Sequence, residues 1–184
     1  GVKCMVYVFL ADGFEECEAL APADILRRGG IDLKTVGVTG KTVTGAHGIP
    51  VICDITADEA VKEDLSAVIL PGGMPGTLNL KKSRAVQEFI DFAAEKGLII
   101  GAICAAPSIL GAKGLLKNKK ATCFTGFEKE LTGASVTDTP VVRDGNIITA
   151  YGAGAAFEFG FCLAEALLGK SAAEQLAAAM RYTK

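Results

Sequence analysis

The alternation of short apolar runs with helix-length segments limits this chain to few architectures. Lys3–Ala11 is rich in Val and Met and reads as a strand buried on both faces. Glu15–Gly29 reads as a helix, with acids in its first turn and Gly29-Gly30 at its close; Pro22 implies a kink or a later start. Leu33–Val38 is the next strand, Thr42–Cys53 a hairpin-like excursion with His47 in its bend, and Ala57–Lys62 a short helix. Ala67–Leu70 and Leu98–Ile103 are buried strands around a helix that Ser83 caps, that ends before Gly97, and whose apolar face is Val86, Phe89, Ile90 and Ala93. A further helix follows Cys104. Val141–Arg143 and Asn146–Ala150 flank Asp144-Gly145, a hairpin turn, and Phe157–Leu168 and Ala172–Arg181 are the last helices.

Strands separated by helices of this length form right-handed βαβ units, so the expected fold is α/β: one layered sandwich with a mostly parallel sheet covered on both faces. No repeat or linker divides the chain, and residues 1–184 read as a single domain. In such sheets chemistry sits beyond the carboxyl ends of the strands. Asp12–Glu18, Pro71–Gly76 and Ile103–Ala106 are expected to meet there.

Composition narrows the function. The chain is 50% hydrophobic and 22% charged, with net charge −2, and has no basic run longer than a pair, which argues against nucleic acid and against a basic membrane-surface helix. The apolar stretch near the C-terminus is interrupted by Glu158 and Glu165. The run from Met5 to Ala11 is too short for a signal peptide, so a cytoplasmic address is expected; Gly1 in place of Met reads as a processed start or an added residue. None of the six cysteines forms a C-x-x-C pair and His47 is the only histidine, so no metal centre is expected. Gly40-Lys41-Thr42 lacks the first glycine of a phosphate loop. Gly152-Ala153-Gly154 breaks the dinucleotide pattern at Phe157 and reads as a turn that lets a buried helix pack close to the sheet. No cofactor is expected.

Cys104 stands apart from the other thiols. Leu98–Ile103 runs straight into it, Ala102 and Ala106 are small at the flanking positions, and Pro107 suits the first turn of a helix. That is the pattern of a nucleophile elbow; a buried core cysteine at a strand end is the alternative. The helix dipole is expected to lower the thiol pKa. The backbone N–H groups of Ala105 and Gly73 could form an oxyanion hole. Glu15, Glu16 and Glu18 lie at the end of the first strand, where one of them, packed against the thiol, would have a raised pKa and could move a proton. Otherwise they are ordinary acids of a helix N-terminus, and His47 an exposed loop histidine.

Asp12-Gly13-Phe14-Glu15-Glu16-Cys17-Glu18, Arg27-Arg28-Gly29-Gly30-Ile31, Leu70-Pro71-Gly72-Gly73, Ala102–Pro107, and Gly152-Ala153-Gly154 with Phe157-Glu158-Phe159 resemble the ThiJ/PfpI superfamily, in order along essentially the whole chain. The resemblance is closest to the branch holding the parkinsonism-associated protein deglycase and the YajL chaperone. It implies a flavodoxin-like three-layer sandwich of the class I glutamine amidotransferase type. It also implies a homodimer, with the first helix and the segment around Cys53 near the interface. By resemblance Cys104 is an oxidation-sensitive nucleophile, Glu18 the acid hydrogen-bonded to it, and Gly73 and Ala105 backbone donors. PfpI-type peptidases have His directly after the nucleophile, where this chain has Ala105. Animal members of the deglycase branch often have a histidine where Phe124 stands here, and an arginine that Thr44–Ile49 lacks, with His47 about there. A Cys-His protease is therefore unsupported. Two readings follow. One is a glyoxalase- or deglycase-type enzyme acting on a small carbonyl substrate or glycated adduct; the other is a non-catalytic oxidative-stress sensor or redox-regulated chaperone working through oxidation of Cys104.

Overall fold

The computed structural model describes residues 4–183; Gly1 and Lys3, named above, lie outside them. Strand β1 (Met5–Leu10) leads to helix α1 (Glu16–Arg28) and strand β2 (Asp32–Gly37). The antiparallel hairpin of β3 (Thr42–Thr44) and β4 (Pro50–Ile52) follows, then a short strand β5 (Ile55–Thr56). The middle of the chain holds β6 (Leu65–Leu70), α2 (Gly76–Lys82), α3 (Arg84–Lys96), β7 (Ile99–Ile103) and α4 (Pro107–Ala112). Strands β8 (Lys120–Ala121) and β9 (Ser135–Val136) precede the hairpin β10 (Val141–Asp144) and β11 (Ile147–Ala150), and helices α5 (Ala156–Leu168) and α6 (Lys170–Ala179) come last.

The main sheet has the order β10-β11-β7-β6-β1-β2-β5. Every neighbouring pair is parallel except the β10–β11 hairpin at one edge. Alternation along β1 explains its unbroken apolar run. Val6, Val8 and Leu10 join the core under α1 and α5, with Ile25, Leu26, Phe159 and Leu163. Tyr7 and Phe9 join the opposite core, with Phe89 and Ile90 of α3 and Leu110 of α4. The fold is thus a mostly parallel sheet between two helical layers, as the alternation of the sequence implies.

Local signals place most elements. The Ser83 side chain accepts from the Val86 N–H, and Gly97 closes α3 in the left-handed region at φ 66°. The buried face of α3 is Val86, Phe89, Ile90 and Ala93, as the spacing requires.

Four details differ from the sequence reading. Pro22 neither delays nor breaks α1. Its one missing N–H is outweighed by a buried face of Ala19, Pro22, Ala23, Ile25 and Leu26, against which α5 packs so closely that a Cβ on Gly160 would lie 2.6 Å from Ile25 Cδ1. The helix expected over Ala57–Lys62 is a single 3₁₀ turn, Ala57–Glu59. Beyond it the Tyr7 hydroxyl donates to the Val61 carbonyl and accepts from the Val61 N–H, taking both backbone groups that a longer helix would use. Helix α2 is hidden in the sequence behind Pro71–Gly76. The close helix-to-sheet approach assigned to Gly152–Gly154 is made by Gly101 of β7, where a Cβ would lie 3.0 Å from both Phe159 and Leu163; Gly154 has nothing within 4 Å.

Candidate active site

The carboxyl ends of β1, β6 and β7 converge, and Cys104 follows β7 directly. It lies in the left-handed region at φ 66°, unusual for a residue with a Cβ. Its N–H donates to the Ala150 carbonyl at 2.8 Å and its carbonyl accepts from the Phe124 N–H at 2.8 Å, so the strained turn is held from two sides. Ala105 and Ala106 are buried and α4 starts at Pro107.

Glu18, on the first turns of α1, is 1% exposed. Its Oε2 accepts from the Gly72 N–H at 2.8 Å, and the carboxyl is hydrogen-bonded to the Cys104 thiol. The N–H groups of Ala105 and Gly73 face the same sulfur. The structure therefore brings Cys104, Glu18, Gly73 and Ala105 together from three strand ends. Gly72, expected with Gly73 only to tolerate the backbone geometry of the turn, also makes the room: a Cβ there would lie 2.7 Å from both Cys104 Cβ and Glu18 Oε2. Its sequence signal was only the pair Gly72-Gly73 after Pro71.

Electrostatics correct one expectation. Burial, with the nearby charge of Glu15, pushes Glu18 up to about 7 against the hydrogen bonds from Cys104 and Gly72. The Cys104 thiol is not lowered. Burial, the Glu18 charge and the hydrogen bond to Glu18 push it up to about 12, against the N–H groups of Ala105 and Gly73. The helix expected to lower it is only six residues long and begins three residues on, and burial, then the adjacent carboxylate, carry the thiol the other way. The two groups form one coupled acid pair, each raised by burial and joined by a hydrogen bond.

The other acids have separate places. Glu15 Oε2 accepts from the Glu18 N–H at 2.8 Å and caps α1. Glu16, also buried, accepts through Oε1 from the N–H groups of His47 at 2.8 Å and Ile49 at 3.4 Å. His47 Nδ1 lies 3.0 Å from Glu16 Oε2. The His47 side chain is 70% exposed and its pKa is raised, first by the hydrogen bond to Glu16. The imidazole thus partners Glu16 rather than Cys104. Glu15, Glu16 and His47 offer ligand atoms within 4.8 Å of one another, but each of the three already holds hydrogen bonds of the hairpin or the helix cap.

The DJ-1/PfpI family model matches residues 4–166. The Parkinson disease protein 7 homolog of Danio rerio is 37% identical over 177 residues, 93% of each chain. The glutathione-independent glyoxalase DJR-1.2 of Caenorhabditis elegans is 32% identical over 157 residues, 84% of this chain and 83% of that one. Among solved structures, a cysteine-to-alanine mutant of a DJ-1 superfamily protein from Salmonella typhimurium superposes with a TM-score of 0.92 at 37% identity, covering 98% of this chain and 99% of that one. A flavodoxin-like sheet with a strained cysteine and a buried glutamate at its carboxyl edge agrees with these likenesses in fold, length and sequence, and the chain belongs to the DJ-1/PfpI family.

Proposed function

We propose that the protein is a cofactor-independent enzyme of the glyoxalase or deglycase type, acting on reactive α-oxoaldehydes through Cys104. The observation that carries the reading is the Glu18–Cys104 hydrogen bond, made by a carboxyl whose pKa lies at about 7. A relative named as a glutathione-independent glyoxalase supports the substrate class.

Glu18 carboxylate takes the thiol proton as sulfur attacks the aldehyde carbon, and the product is a hemithioacetal. The N–H groups of Gly73 and Ala105 stabilise the developing oxyanion. Glu18, having passed its proton to that oxygen, removes the proton from C1 and returns it to C2 through an enediol, while the C1 hydroxyl proton passes to the C2 oxygen. The result is a lactyl thioester from methylglyoxal. Water then cleaves the C–S bond, releasing lactate and restoring the thiol. The raised thiol pKa keeps the resting sulfur protonated, so attack depends on Glu18 as base rather than on a standing thiolate. Wild-type protein should form lactate from methylglyoxal, and Cys104→Ser should fall to the uncatalysed background. Equal rates in both would remove the enzyme reading.

The same donors favour a second reading. Two N–H groups and a carboxyl that is protonated below about pH 7 can hold a sulfinate on Cys104, as an oxidative-stress sensor or redox-regulated chaperone requires. Mild peroxide followed by peptide mass spectrometry should find oxidation concentrated at Cys104. An even spread over the six cysteines would remove it.

A further inference from the structure

A cavity of about 390 Å³ opens beside the elbow, walled by Cys123, Phe124, Thr125, Asp138, Tyr151 and the Gly152–Gly154 turn. Two of its walls are tied to the backbone of Cys104. The Phe124 N–H donates to the Cys104 carbonyl, and the Cys104 N–H donates to Ala150, which precedes Tyr151. Phe124 is half exposed, and its ring lies over Gly152, where a Cβ would come within 3.4 Å of it.

The charge of the cavity is one-sided. Among the described residues Asp138 is the one charged residue of its walls, and no Lys, Arg or His lines it. Glu128 and Glu130 lie close enough to raise the Cys123 thiol, after burial. Glu18, hydrogen-bonded to the cysteine, and Glu15, whose charge reaches Glu18, add two more acids from the start of α1. An aromatic ring and a tyrosine offer an apolar or cation-π surface, and the field around them is negative.

We infer that this cavity receives the non-reacting part of the substrate and selects α-oxoaldehydes, or their adducts, whose substituent is uncharged or cationic, against those bearing a carboxylate or phosphate. The inference rests on the reading of Cys104 as the carbonyl-attacking group. With the aldehyde carbon at sulfur and its oxygen toward the N–H groups of Gly73 and Ala105, the Phe124 side is where a substituent can extend. A carboxylate there would meet Asp138 with no cation to pair with.

The test compares phenylglyoxal with 4-carboxyphenylglyoxal as substrates. It also compares the unreactive ketones acetophenone and 4-acetylbenzoate as ligands in calorimetric or NMR titrations of Cys104→Ser protein. The neutral member of each pair should be favoured by at least about tenfold. Asp138→Asn should narrow the gap, and Phe124→Ala should weaken the neutral aryl compound selectively. Because both side chains are exposed, folding is expected to survive; the wild-type substrate pair needs no variant at all. Equal affinity for the two ketones, preference for the carboxylate, or no binding of either would overturn the inference. Absence of turnover together with a retained preference between the ketones would remove the enzyme reading and leave the cavity assignment standing.

Discussion

At the scale of single residues, Glu18 adds a component of stability that falls as pH rises toward neutrality. Its pKa rises from 4.5 to about 7 on folding, so between those values the native state binds more protons than the unfolded chain. The contribution of a neutral Glu18 is fully present below pH 4.5, declines as pH rises, and is lost above about 7. The shift corresponds to about 3 kcal/mol, an upper bound for a pair that shares a proton. Urea unfolding at pH 5 and pH 8 should show a fall of this order in wild type, much reduced in Glu18→Gln, which stays uncharged throughout. An identical pH dependence in both proteins would remove the assignment. Cys104 and an acid beside it were legible because an elbow pattern and strand-end acids are local signals, and the family resemblance singled out Glu18 among the three. The direction of the thiol pKa was not, because it depends on how deeply the carboxylate is buried against the sulfur.

At the scale of elements, caps outweigh propensity where they exist, and packing decides where they do not. Ser83 starts α3 by accepting the Val86 N–H at 3.3 Å. Ser83→Ala should lower the unfolding free energy by about 1 kcal/mol while leaving the activity of Cys104 unchanged, measured by denaturant unfolding beside a lactate assay. No loss of stability would mean that the cap is not what holds this terminus. Pro22 is the contrary case, since its effect within α1 is overridden by the α1–α5 contact at Gly160. The β3–β4 hairpin has its own anchor. Glu16 fills the space beside Gly45 and takes the N–H groups of the bend, and Ala46 donates to the Phe14 carbonyl at 2.7 Å. Hairpin and helix are thereby joined at the edge of the site, which the alternation of Thr42–Cys53 alone did not indicate.

At the scale of the molecule, the resemblance to a homodimeric branch meets a surface with the right character. Ile49 and Ile52 on the hairpin are 52% and 77% exposed, and Leu20 of α1 is 37% exposed. We propose that these lie in or beside a two-fold interface built on α1 and the segment around Cys53. Light scattering should give twice the 19.0 kDa chain mass, and Ile52→Asp should shift the species toward monomer. A monomeric wild type at micromolar concentration would refute the dimer. No helix among the described residues is long and apolar enough to cross a membrane.

The amino-acid sequence by itself determined the α/β class, the order of nearly all elements and the gathering of three strand ends. Each of these follows from apolar periodicity and from glycine, proline and capping residues acting over a few positions. The tertiary fold put against the thiol the glutamate that residue pattern alone had left level with Glu15 and Glu16 and that only the family resemblance had named, Glu18. It also decided that Gly72 must lack a side chain, that His47 turns to Glu16, and that Phe124, Tyr151 and Asp138 line one cavity. Those outcomes depend on contacts between segments distant in the chain, where burial and charge at the meeting point outweigh local preference.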